Sequence, residues 1–416
     1  MSLAEELSWR GFVNQTTLKD IHKLDSHKFT FYLGIDPSSD SMTIGNLAII
    51  MMIKHFINYG HKPILLVGGA TGLIGDPDGK VEERALKTNQ QIINNKQAIA
   101  KQYRKLFNTE KIQIVDNYDW FQDFNYLEFL RQVGKHVPMR QMLARDFVEK
   151  RLSNNGKGIS YAEFSYVLIQ AYDFLYLHQN YNVDMQICGS DQWGNCIAGV
   201  DLIRRITNHM VDVWSAPLIV NPVSGIKFGK SEEGAIWLDP AKTSPTAFYQ
   251  FWINTQDEAI EKYLKIYTTL SKSEIESIVS RHKQSPKSRL AQYTLADHVC
   301  ELVHGKIATQ QAKQITEFLT GKIELSKMNK EQIKLIKQQI ITIYSQQDGS
   351  IAQALVNSKL TDSNSRARQL IKEGAIYINN QQIKREFFLK EDYVNEYLLL
   401  RRGKSYKDCA LIELKK

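Results

Sequence analysis

The feature that most constrains the fold is a strand–helix–strand pattern near the start of the chain. Residues 29–35 and 62–67 are apolar runs rich in strand-forming residues, and each is typical of a buried strand. Between them, residues 45–59 have the apolar spacing of a helix and are followed by Gly60. A helix that joins two buried strands favours a parallel sheet, with ligands at the carboxyl ends of the strands.

The middle of the chain continues this pattern. Two more strands are expected at residues 112–115 and 185–188, the second after a long helical stretch at 160–179. Strand patterns then stop, and residues 246–319 have the spacing of several helices. We therefore predict an α/β protein whose first domain, residues 1–243, is built on a Rossmann-like parallel sheet.

The remainder of the chain predicts two smaller domains. The helical stretch continues into a segment rich in Lys and Gln at 322–344, which predicts a helical or loosely packed linker. In the tail, residues 366–372 have helical spacing, and Asn379-Asn380 predicts a tight turn. The boundaries that we expect are 244–345 for an α-helical domain with its linker, and 346–416 for a small α+β domain.

Positive charge is concentrated in the last quarter of the chain. The net charge is +8, from 53 Lys/Arg and 45 Asp/Glu. Residues 321–416 hold 18 Lys/Arg and 11 Asp/Glu, whereas the first 320 residues hold 35 and 34. Basic side chains gain affinity for nucleic acid by releasing counterions from phosphates. The asymmetry therefore indicates a domain that binds a polyanion, although a merely solvated surface would have the same composition.

Neither a membrane nor an oxidising compartment is indicated. The apolar run at 44–53 is broken by Gly45 and Asn46 and is much shorter than a membrane span. Residues 1–9 lack the basic and apolar regions of a signal peptide. The four cysteines are widely scattered, so neither a zinc site nor a disulfide framework is expected. We expect a cytoplasmic protein with no dedicated metal site.

The first of three polar clusters follows the first strand. Gly34 would let a ligand approach the backbone closely, and Asp36 can accept hydrogen bonds from a ribose. The helix that follows points its unpaired N–H groups at any phosphate nearby. A glycine-rich turn at 68–80 has neither the spacing of a Walker phosphate loop nor that of a dinucleotide fingerprint. Tight packing would explain this turn equally well.

The second cluster lies on the long helix expected at 160–179. Tyr166, Gln170 and Asp173 are spaced i, i+4 and i+7, so they share one face of that helix. Apolar neighbours require burial of the same segment, and buried polar groups need partners. Either a ligand or an internal hydrogen-bond network would supply them. The strand end at 186–195 adds further donors and acceptors.

The third cluster is Lys227-Phe228-Gly229-Lys230-Ser231. Two lysines separated by Phe-Gly can bring two ammonium groups to one phosphate chain, and the glycine lets such a loop open and close. In isolation, a short basic loop is more often solvated surface.

Taken together and in order, these clusters resemble the bacterial tyrosyl-tRNA synthetases, which are class I aminoacyl-tRNA synthetases. The resemblance covers essentially the whole chain. Its most specific blocks are residues 68–76, 163–173, 189–195, 243–254 and 374–379. It implies that the Rossmann-like domain is catalytic, that the α-helical domain recognises the anticodon arm, and that the small C-terminal domain binds RNA.

The resemblance implies a tyrosine–tRNA ligase. Such an enzyme activates L-tyrosine with ATP to tyrosyl-adenylate, releases pyrophosphate, and transfers tyrosine to the 3′ end of tRNA(Tyr). Mg²⁺ would travel with ATP, which is a substrate, and no prosthetic group is implied. The family is homodimeric, and residues 133–147 lie in the region that usually forms the contact.

The resemblance also assigns residues to the site. The residues expected to bind tyrosine are Tyr32, Asp76, Tyr166, Gln170, Asp173 and Gln192, with the substrate phenol between Tyr32 and Asp173. The residues expected to bind ATP are Gly34, Asp36, Gly45, Asn46, Gly189, Asp191, Lys227, Lys230 and Ser231. The residues expected to act in catalysis are Thr43, Asn46, Lys80, Arg84, Lys227 and Lys230. The residues expected to contact tRNA are Arg366, Arg368, Lys372, Arg401 and Arg402.

One departure separates the chain from the family pattern. The family's His-Ile-Gly-His signature appears here as Thr43-Ile44-Gly45-Asn46. Loss of one preorganised donor can cost roughly 10²–10³ in rate. This leaves open a catalytically weakened synthetase paralogue that acts as an RNA-binding protein. A dinucleotide-dependent oxidoreductase would also fit the strand–helix–strand unit, but it would not explain the basic tail or the lysine loop.

Overall fold

The fold is seen in a computed structural model, which describes residues 1–77, 86–107, 112–143, 146–153, 158–220, 230–231, 234–403 and 408–415. The chain forms two compact units, one of Met1–Thr243 with Thr255–Leu295 and one of Ser244–Asn254 with Ala296–Lys416. The expected division into 1–243, 244–345 and 346–416 stays a prediction.

The strands of the described residues are short. In chain order they are β1 (Gln15–Thr16), β2 (Thr30–Ile35), β3 (Lys62–Val67), β4 (Gln113–Asp116), β5 (Met185–Gly189), β6 (Asp212–Ala216), β7 (Lys230–Ser231), β8 (Gly234–Ala235), β9 (Ile341–Ser345), β10 (Ile376–Ile378), β11 (Gln381–Ile383), β12 (Tyr397–Arg402) and β13 (Cys409–Leu414).

The α-helices of the described residues vary more in length. They are α1 (Leu3–Arg10), α2 (Lys23–Ser26), α3 (Ile44–Asn58), α4 (Gly69–Ile74), α5 (Asn89–Phe107), α6 (Tyr118–Phe121), α7 (Tyr126–Gln132), α8 (Met139–Leu143), α9 (Asp146–Leu152), α10 (Tyr161–Tyr181), α11 (Trp193–Thr207), α12 (Pro245–Ile253), α13 (Asp257–Tyr267), α14 (Lys272–Gln284), α15 (Leu290–His304), α16 (Lys306–Leu319), α17 (Lys330–Gln339), α18 (Ile351–Asn357) and α19 (Asn364–Lys372).

The first unit is built around a sheet whose order, among the described strands, is β1-β6-β5-β2-β3-β4. The pairs from β6 to β4 are parallel, and β1 runs antiparallel to β6. Strand β2 lies between β3 and β5, so the strand order reverses at the β2–β5 pair, where Tyr32 is opposite Gln186. Ligands of open parallel sheets bind in the crevice at such a reversal. The predicted α/β fold with a Rossmann-like sheet is confirmed.

The core of this unit explains why these segments form strands and helices. Strand β5 is buried along its whole length, as expected of a parallel strand with helices on both faces. Helix α10 packs against the sheet through Val167, Leu168 and Phe174, which belong to one apolar cluster with Tyr32 and Val213. The same helix that fills the core therefore carries the predicted polar cluster to the crevice.

The second unit contains a sheet of order β11-β10-β12-β13-β9. The turn predicted at Asn379-Asn380 is confirmed, because both residues have positive φ, 45° and 71°, and join β10 to β11. The segment 322–344, which was expected to be a helical or loosely packed linker, contains the helix α17 and also most of strand β9. Ile333 and Ile336 of α17 pack into one core with residues of β12 and β13, so this segment is part of the folded unit.

Candidate functional site

The predicted phenol-binding pair lies in the crevice between β2 and β5. Tyr32 on β2 is 1% exposed, and Asp173 on α10 is 2% exposed. The ring centroid of Tyr32 is 5.2 Å from that of Phe174, the neighbour of Asp173 in the chain. Burial, with the nearby Cys196 and Asp173 groups, raises the pKa of the Tyr32 phenol well above its usual value. The hydroxyl of Tyr32 is therefore protonated and interacts electrostatically with Asp173.

Two side chains hold the Asp173 carboxyl group. Asn117 donates from Nδ2 to Oδ2 at 3.0 Å, and Trp120 donates from Nε1 to Oδ1 at 3.0 Å. Burial raises the pKa of Asp173 well above its usual value, while these two hydrogen bonds act in the opposite direction. Both donors fix the orientation of the carboxyl group.

Three polar atoms on β2 and α10 have no hydrogen-bond partner among the described residues. They are the hydroxyl oxygen of Tyr32, Oε1 of Gln170 and Oγ of Ser165, all of them buried. Gln170 and Ser165 lie on α10, which also carries Asp173. Buried polar groups without partners are costly, so a ligand could supply the missing hydrogen bonds.

Tyr166 and Asp36 connect α10 to the end of β2. The Tyr166 hydroxyl donates to Oδ2 of Asp36 at 2.8 Å. Burial, followed by the charges of Asp36 and Asp76, raises the pKa of Tyr166 well above its usual value. Gly68 is required beside them, because a Cβ there would lie 2.5 Å from Oδ1 of Asp36 and 2.1 Å from Oγ1 of Thr71.

Two amide side chains and one carboxylate form a chain of hydrogen bonds near the end of β5. Gln192 donates from Nε2 to Oδ2 of Asp76. Asn195, which is 2% exposed, donates from Nδ2 to Oε1 of Gln192 at 3.0 Å. The structure therefore brings together two of the residues predicted to bind tyrosine, Asp76 and Gln192. Gly189 and the side chain of Asp191 also lie close to each other, since a Cβ on Gly189 would lie 2.7 Å from Oδ1 of Asp191.

An open cleft lies beside Asp36. The lining comes from the ends of β2 and α4 and from the segment before α5, and comprises Asp36, Ser38, Gly72, Leu73, Ile74, Gly75, Leu86 and Lys87.

The start of α3 carries the departure from the family signature. The backbone N–H and the hydroxyl of Thr43 both donate to Oδ1 of Asn46, at 2.9 and 3.1 Å. The carbonyl oxygen of Asn46 is thus turned to Thr43, and its NH₂ group points away. Gly45 lies in the first turn, where helix N–H groups lack intrahelical partners and attract anions.

The predicted lysine and arginine residues are only partly described. Lys80, Arg84 and Lys227 lie outside the described residues. Lys230 and Ser231 form β7, which pairs with β8 so that Lys230 is opposite Ala235.

The basic residues predicted to contact tRNA differ in exposure. Arg366, Arg368 and Lys372 are exposed on α19. Arg402 is exposed but its guanidinium group donates to the carbonyl oxygen of Leu360 at 2.7 Å and to Asp408 at 3.0 Å.

Arg401 has a different environment. It is 6% exposed, and its guanidinium lies 5.8 Å from the centroid of the Tyr377 ring and 3.4 Å from the carbonyl oxygen of Leu319. This burial argues against a direct contact between Arg401 and RNA, because the charge is turned into the protein.

In the part of the chain that the structure describes, no three His, Cys, Asp or Glu side chains converge so as to hold a metal ion. No helix there is both long enough and apolar enough to span a membrane. The four cysteines are buried thiols.

Comparison with known proteins assigns the family. A family model described as tRNA synthetases class I (W and Y) matches residues 24–320, and one for the tyrosine–tRNA ligase SYY-like C-terminal domain matches residues 332–408. A tyrosine–tRNA ligase of Escherichia coli (strain K12 / DH10B) is 42% identical, over 99% of this chain and 98% of that protein. One from Shigella boydii has the same identity and coverage. The chain belongs to the tyrosine–tRNA ligase family.

Solved structures of this family have the same fold. The C-terminally truncated mitochondrial tyrosyl-tRNA synthetase of Aspergillus nidulans superposes with a TM-score of 0.69 at 29% identity, covering 76% of this chain and 93% of that one. The corresponding Coccidioides posadasii protein gives 0.68 at 29% identity, covering 76% and 91%. Both the recognition of the family and the assignment to class I synthetases are confirmed.

Sequence reasoning missed two residues in this member of the tyrosine–tRNA ligase family, Asn117 and Trp120. Asn117 is fully buried, and besides holding Asp173 it donates to Oγ1 of Thr71 at 3.1 Å and accepts from the N–H of Ala70 at 2.7 Å. The available signal was its place directly after β4, at the same edge of the sheet as the other polar residues.

Proposed function

We propose that the chain activates L-tyrosine with ATP, releasing pyrophosphate, and then transfers tyrosine to the 3′ end of tRNA(Tyr). The observation that carries this proposal is the buried pair of Tyr32 and Asp173, with the Tyr32 hydroxyl lacking a partner among the described residues. A tyrosine phenol between them would donate to the Asp173 carboxylate and accept from the Tyr32 hydroxyl. The family assignment supports the same substrate, because the relatives are tyrosine–tRNA ligases.

The same pair explains selection against phenylalanine. Phenylalanine lacks the hydroxyl, so its ring would leave the buried Tyr32 hydroxyl without a partner and would make no hydrogen bond with Asp173, which keeps only Asn117 and Trp120. Leaving a buried polar group unsatisfied costs about 1–3 kcal/mol, and more for a charged group. The pocket therefore rejects phenylalanine although its shape accepts the ring.

We propose that the polar groups on α10 and at the ends of β2 and β5 orient the reacting atoms. The ammonium group of tyrosine would lie among Asp76, Tyr166 and Gln170, with Gln192 beside its carboxylate. ATP would lie along the cleft, with its ribose against Gly34, Asp36, Gly189 and Asp191.

The carboxylate of tyrosine then attacks the α-phosphorus of ATP in line. Negative charge develops on the phosphoryl oxygens and on the departing pyrophosphate, so the protein acts by placement and by stabilising charge. We propose that the first turn of α3, with Thr43, Gly45 and Asn46, faces the phosphates. Lys80, Arg84, Lys227, Lys230 and Ser231 would neutralise the leaving group. Mg²⁺ would enter with ATP, since this hard cation prefers phosphate oxygens and water.

We also propose that the protein acts as a homodimer. Large apolar side chains are exposed on the helices around the expected contact, including Leu127 at 74%, Met139 at 57% and Leu152 at 54%. Concentrations of exposed apolar side chains mark protein–protein contacts. The cytoplasmic location expected from the sequence stays a prediction.

Tyrosine-dependent exchange of pyrophosphate into ATP tests the proposed function. The wild-type protein should catalyse exchange with tyrosine and not with phenylalanine. Asp173→Ala should lower the exchange rate by roughly 10²-fold or more, because it removes the proposed acceptor for the phenol hydroxyl. The matched control is Asp201→Ala on α11, whose carboxylate is partly exposed beside Arg204 and should be dispensable.

Two outcomes would contradict the proposal. Near-normal exchange by Asp173→Ala would show that the phenol is recognised elsewhere. Absence of exchange in the wild type, with RNA binding retained, would favour the weakened paralogue, an alternative that the relatives do not support.

A further inference from the structure

A buried serine joins three segments beside the start of α3. Ser41 is 4% exposed. Its hydroxyl donates to the carbonyl oxygen of Met42 at 3.0 Å and accepts from Nε2 of Gln102 at 2.9 Å and from the N–H of Asp239 at 3.1 Å. A hydroxyl offers one donor and two acceptor positions, so this contact set uses its full capacity.

From Ser41, a short ladder of backbone hydrogen bonds runs along the start of α3. The N–H of Leu238 donates to the carbonyl oxygen of Met42 at 2.9 Å, and the N–H of Ile44 donates to that of Ile236 at 3.1 Å. Thr43 and Trp237 form an antiparallel bridge between these two bonds. Residues 236–239 therefore lie beside the signature at the head of α3.

The other end of this ladder reaches the lysine motif. Ala235, which precedes the ladder, is paired with Lys230 in the β7–β8 hairpin. The backbone of Lys230 is thus connected to the head of α3 through one continuous run of main-chain pairing. Ser41 closes the far end of this run by holding the N–H of Asp239.

Two further contacts stabilise the region around Ser41. Gln102 of α5 accepts the N–H of Met42 at 2.8 Å, so its amide grips both Ser41 and the next residue. Lys242 forms an ion pair with Asp40, and its ammonium nitrogen lies 4.8 Å from the centroid of the Trp237 ring. The segment that follows the lysine motif is therefore held at Asp239 by Ser41 and at Lys242 by Asp40.

We propose that Ser41 is a positioning residue for tyrosine activation, which sets the place of Lys230 relative to the head of α3. This inference rests on the proposed function. Alanine at this position would remove the acceptor for the partly buried N–H groups of Gln102 and Asp239, and the 236–239 segment would shift. A misplacement of about 1 Å between reacting groups can cost on the order of 10²-fold in rate.

The first measurement is steady-state pyrophosphate exchange by Ser41→Ala. We expect kcat/KM for ATP to fall about 10- to 100-fold. The dissociation constant for tyrosine, measured by equilibrium dialysis, should stay within about twofold, because Ser41 contacts none of the groups around Tyr32 and Asp173. The matched control is Ser358→Ala, which removes a fully buried serine hydroxyl bonded to the carbonyl oxygen of Ala354, in the other unit. It should leave exchange unchanged.

The decisive measurement repeats the substitution in a Lys230→Ala background. If Ser41 acts by placing Lys230, adding Ser41→Ala to that variant should lower kcat/KM by less than about twofold. An undiminished effect in the Lys230→Ala background would overturn the proposal, and so would unchanged exchange by Ser41→Ala alone. Should Ser41→Ala be insoluble, Gln102→Ala removes one of the same hydrogen bonds from a partly exposed site and is measured in the same two backgrounds.

Failure of the proposed function would look different. A wild-type protein without tyrosine-dependent exchange would remove the activity itself. Normal wild-type exchange with an undiminished Ser41 effect would overturn only the positioning role.

Discussion

At the head of α3, Thr43 and Asn46 form one hydrogen-bonded unit in place of two histidines. Thr43 uses its N–H and its hydroxyl to hold the carbonyl oxygen of Asn46. Because these two bonds occupy the amide oxygen, the NH₂ group of Asn46 stays available as a donor. The threonine therefore orients its neighbour, and the proposed contact between Asn46 and phosphate would use this NH₂ group.

We therefore predict unequal effects of substitutions at these two positions. Asn46→Ala should lower the rate of tyrosyl-adenylate formation by about 10²–10³-fold, the cost of one preorganised donor. Thr43→Ala should lower it by only about tenfold, because Asn46 remains and merely loses its orientation. Single-turnover formation of the adenylate separates these cases. Equal losses in the two variants would mean that the threonine hydroxyl itself contacts ATP.

The shared position of candidate site residues was predictable where they lie on one element. Tyr166, Gln170 and Asp173 follow from helical spacing, since all three project from α10. Asn117 was not predictable in this way, because it holds Asp173 across 56 residues of sequence. The contact between Asn117 and Asp173 depends on the pairing of β4 with β3, and no local sequence pattern encodes that pairing.

At the scale of elements, α1 is fastened by a buried arginine. The guanidinium of Arg10 donates to the carbonyl oxygens of Lys265, Thr268 and Leu270, at 2.7, 3.0 and 2.6 Å. These carbonyl groups lie at the C-terminal end of α13 and just after it, where cationic side chains stabilise a helix. Glu6 pairs with Arg10 at 3.0 Å and with His55 at 3.3 Å, so the same carboxylate also connects α1 to α3.

This network predicts a loss of stability in acid. The hydrogen bond from His55 is the main cause that lowers the pKa of Glu6 to about 2, from an ordinary value of 4.5. A lowered carboxyl pKa stabilises the folded state above pH 4.5, and that contribution is lost between pH 4.5 and 2. Burial lowers the pKa of His55, which adds a loss of stability below its ordinary value of 6.5.

Glu6→Gln should therefore lower the free energy of unfolding at pH 7 by about 1–2 kcal/mol. Between pH 4.5 and 2 the variant should lose less stability than the wild type. Urea unfolding of both proteins across this range measures the difference. Glu276→Gln, whose side chain is 61% exposed on α14, is the control and should change little. Parallel pH curves for wild type and Glu6→Gln would refute the assignment.

The element least predictable from sequence is β9. Its residues, Ile-Thr-Ile-Tyr-Ser, suit a strand, but they follow a Lys/Gln-rich stretch and have no strand neighbour nearby in the chain. The partner is β13, about 70 residues later, and the pairing is parallel. Strand propensity depends on the local sequence, whereas the pairing of two distant strands depends on the packing of the whole domain.

At the scale of the molecule, the concentration of charge near the C-terminus predicts a division of labour. Arg366 and Arg368 are exposed on α19 and free of the burial that affects Arg401. Reversing both charges should weaken tRNA binding, because each lost phosphate contact removes part of the counterion release. Pyrophosphate exchange depends on the other unit and should not change.

The experiment compares Arg366→Glu/Arg368→Glu with the wild type in tRNA charging and in exchange. We expect KM for tRNA to rise about tenfold or more, with a shallower dependence on salt. Lys19→Glu/Lys28→Glu is the matched control, a double reversal at exposed lysines of the first unit. Normal charging by the α19 variant would exclude this helix from the RNA interface.

The composition of the tail predicted where charge accumulates, and it could not predict which charges face outward. Arg401 and Arg402 are neighbours on β12, and strand alternation sends one inward and the other outward. Which of the two is buried depends on the sheet that covers them.

One consequence follows from the origin of the site in separate stretches of chain. The groups around the proposed phenol site come from α10, from the segment after β4 and, through Tyr32, from β2, whereas those of the proposed nucleotide site come largely from the end of β2 and the head of α3. Strand β2 therefore belongs to both proposed sites, and the hydrogen bond from Tyr166 to Asp36 connects them. Asn117 and Trp120 contact Asp173 from outside this shared strand, so substitutions there should change the choice of amino acid more than the use of ATP.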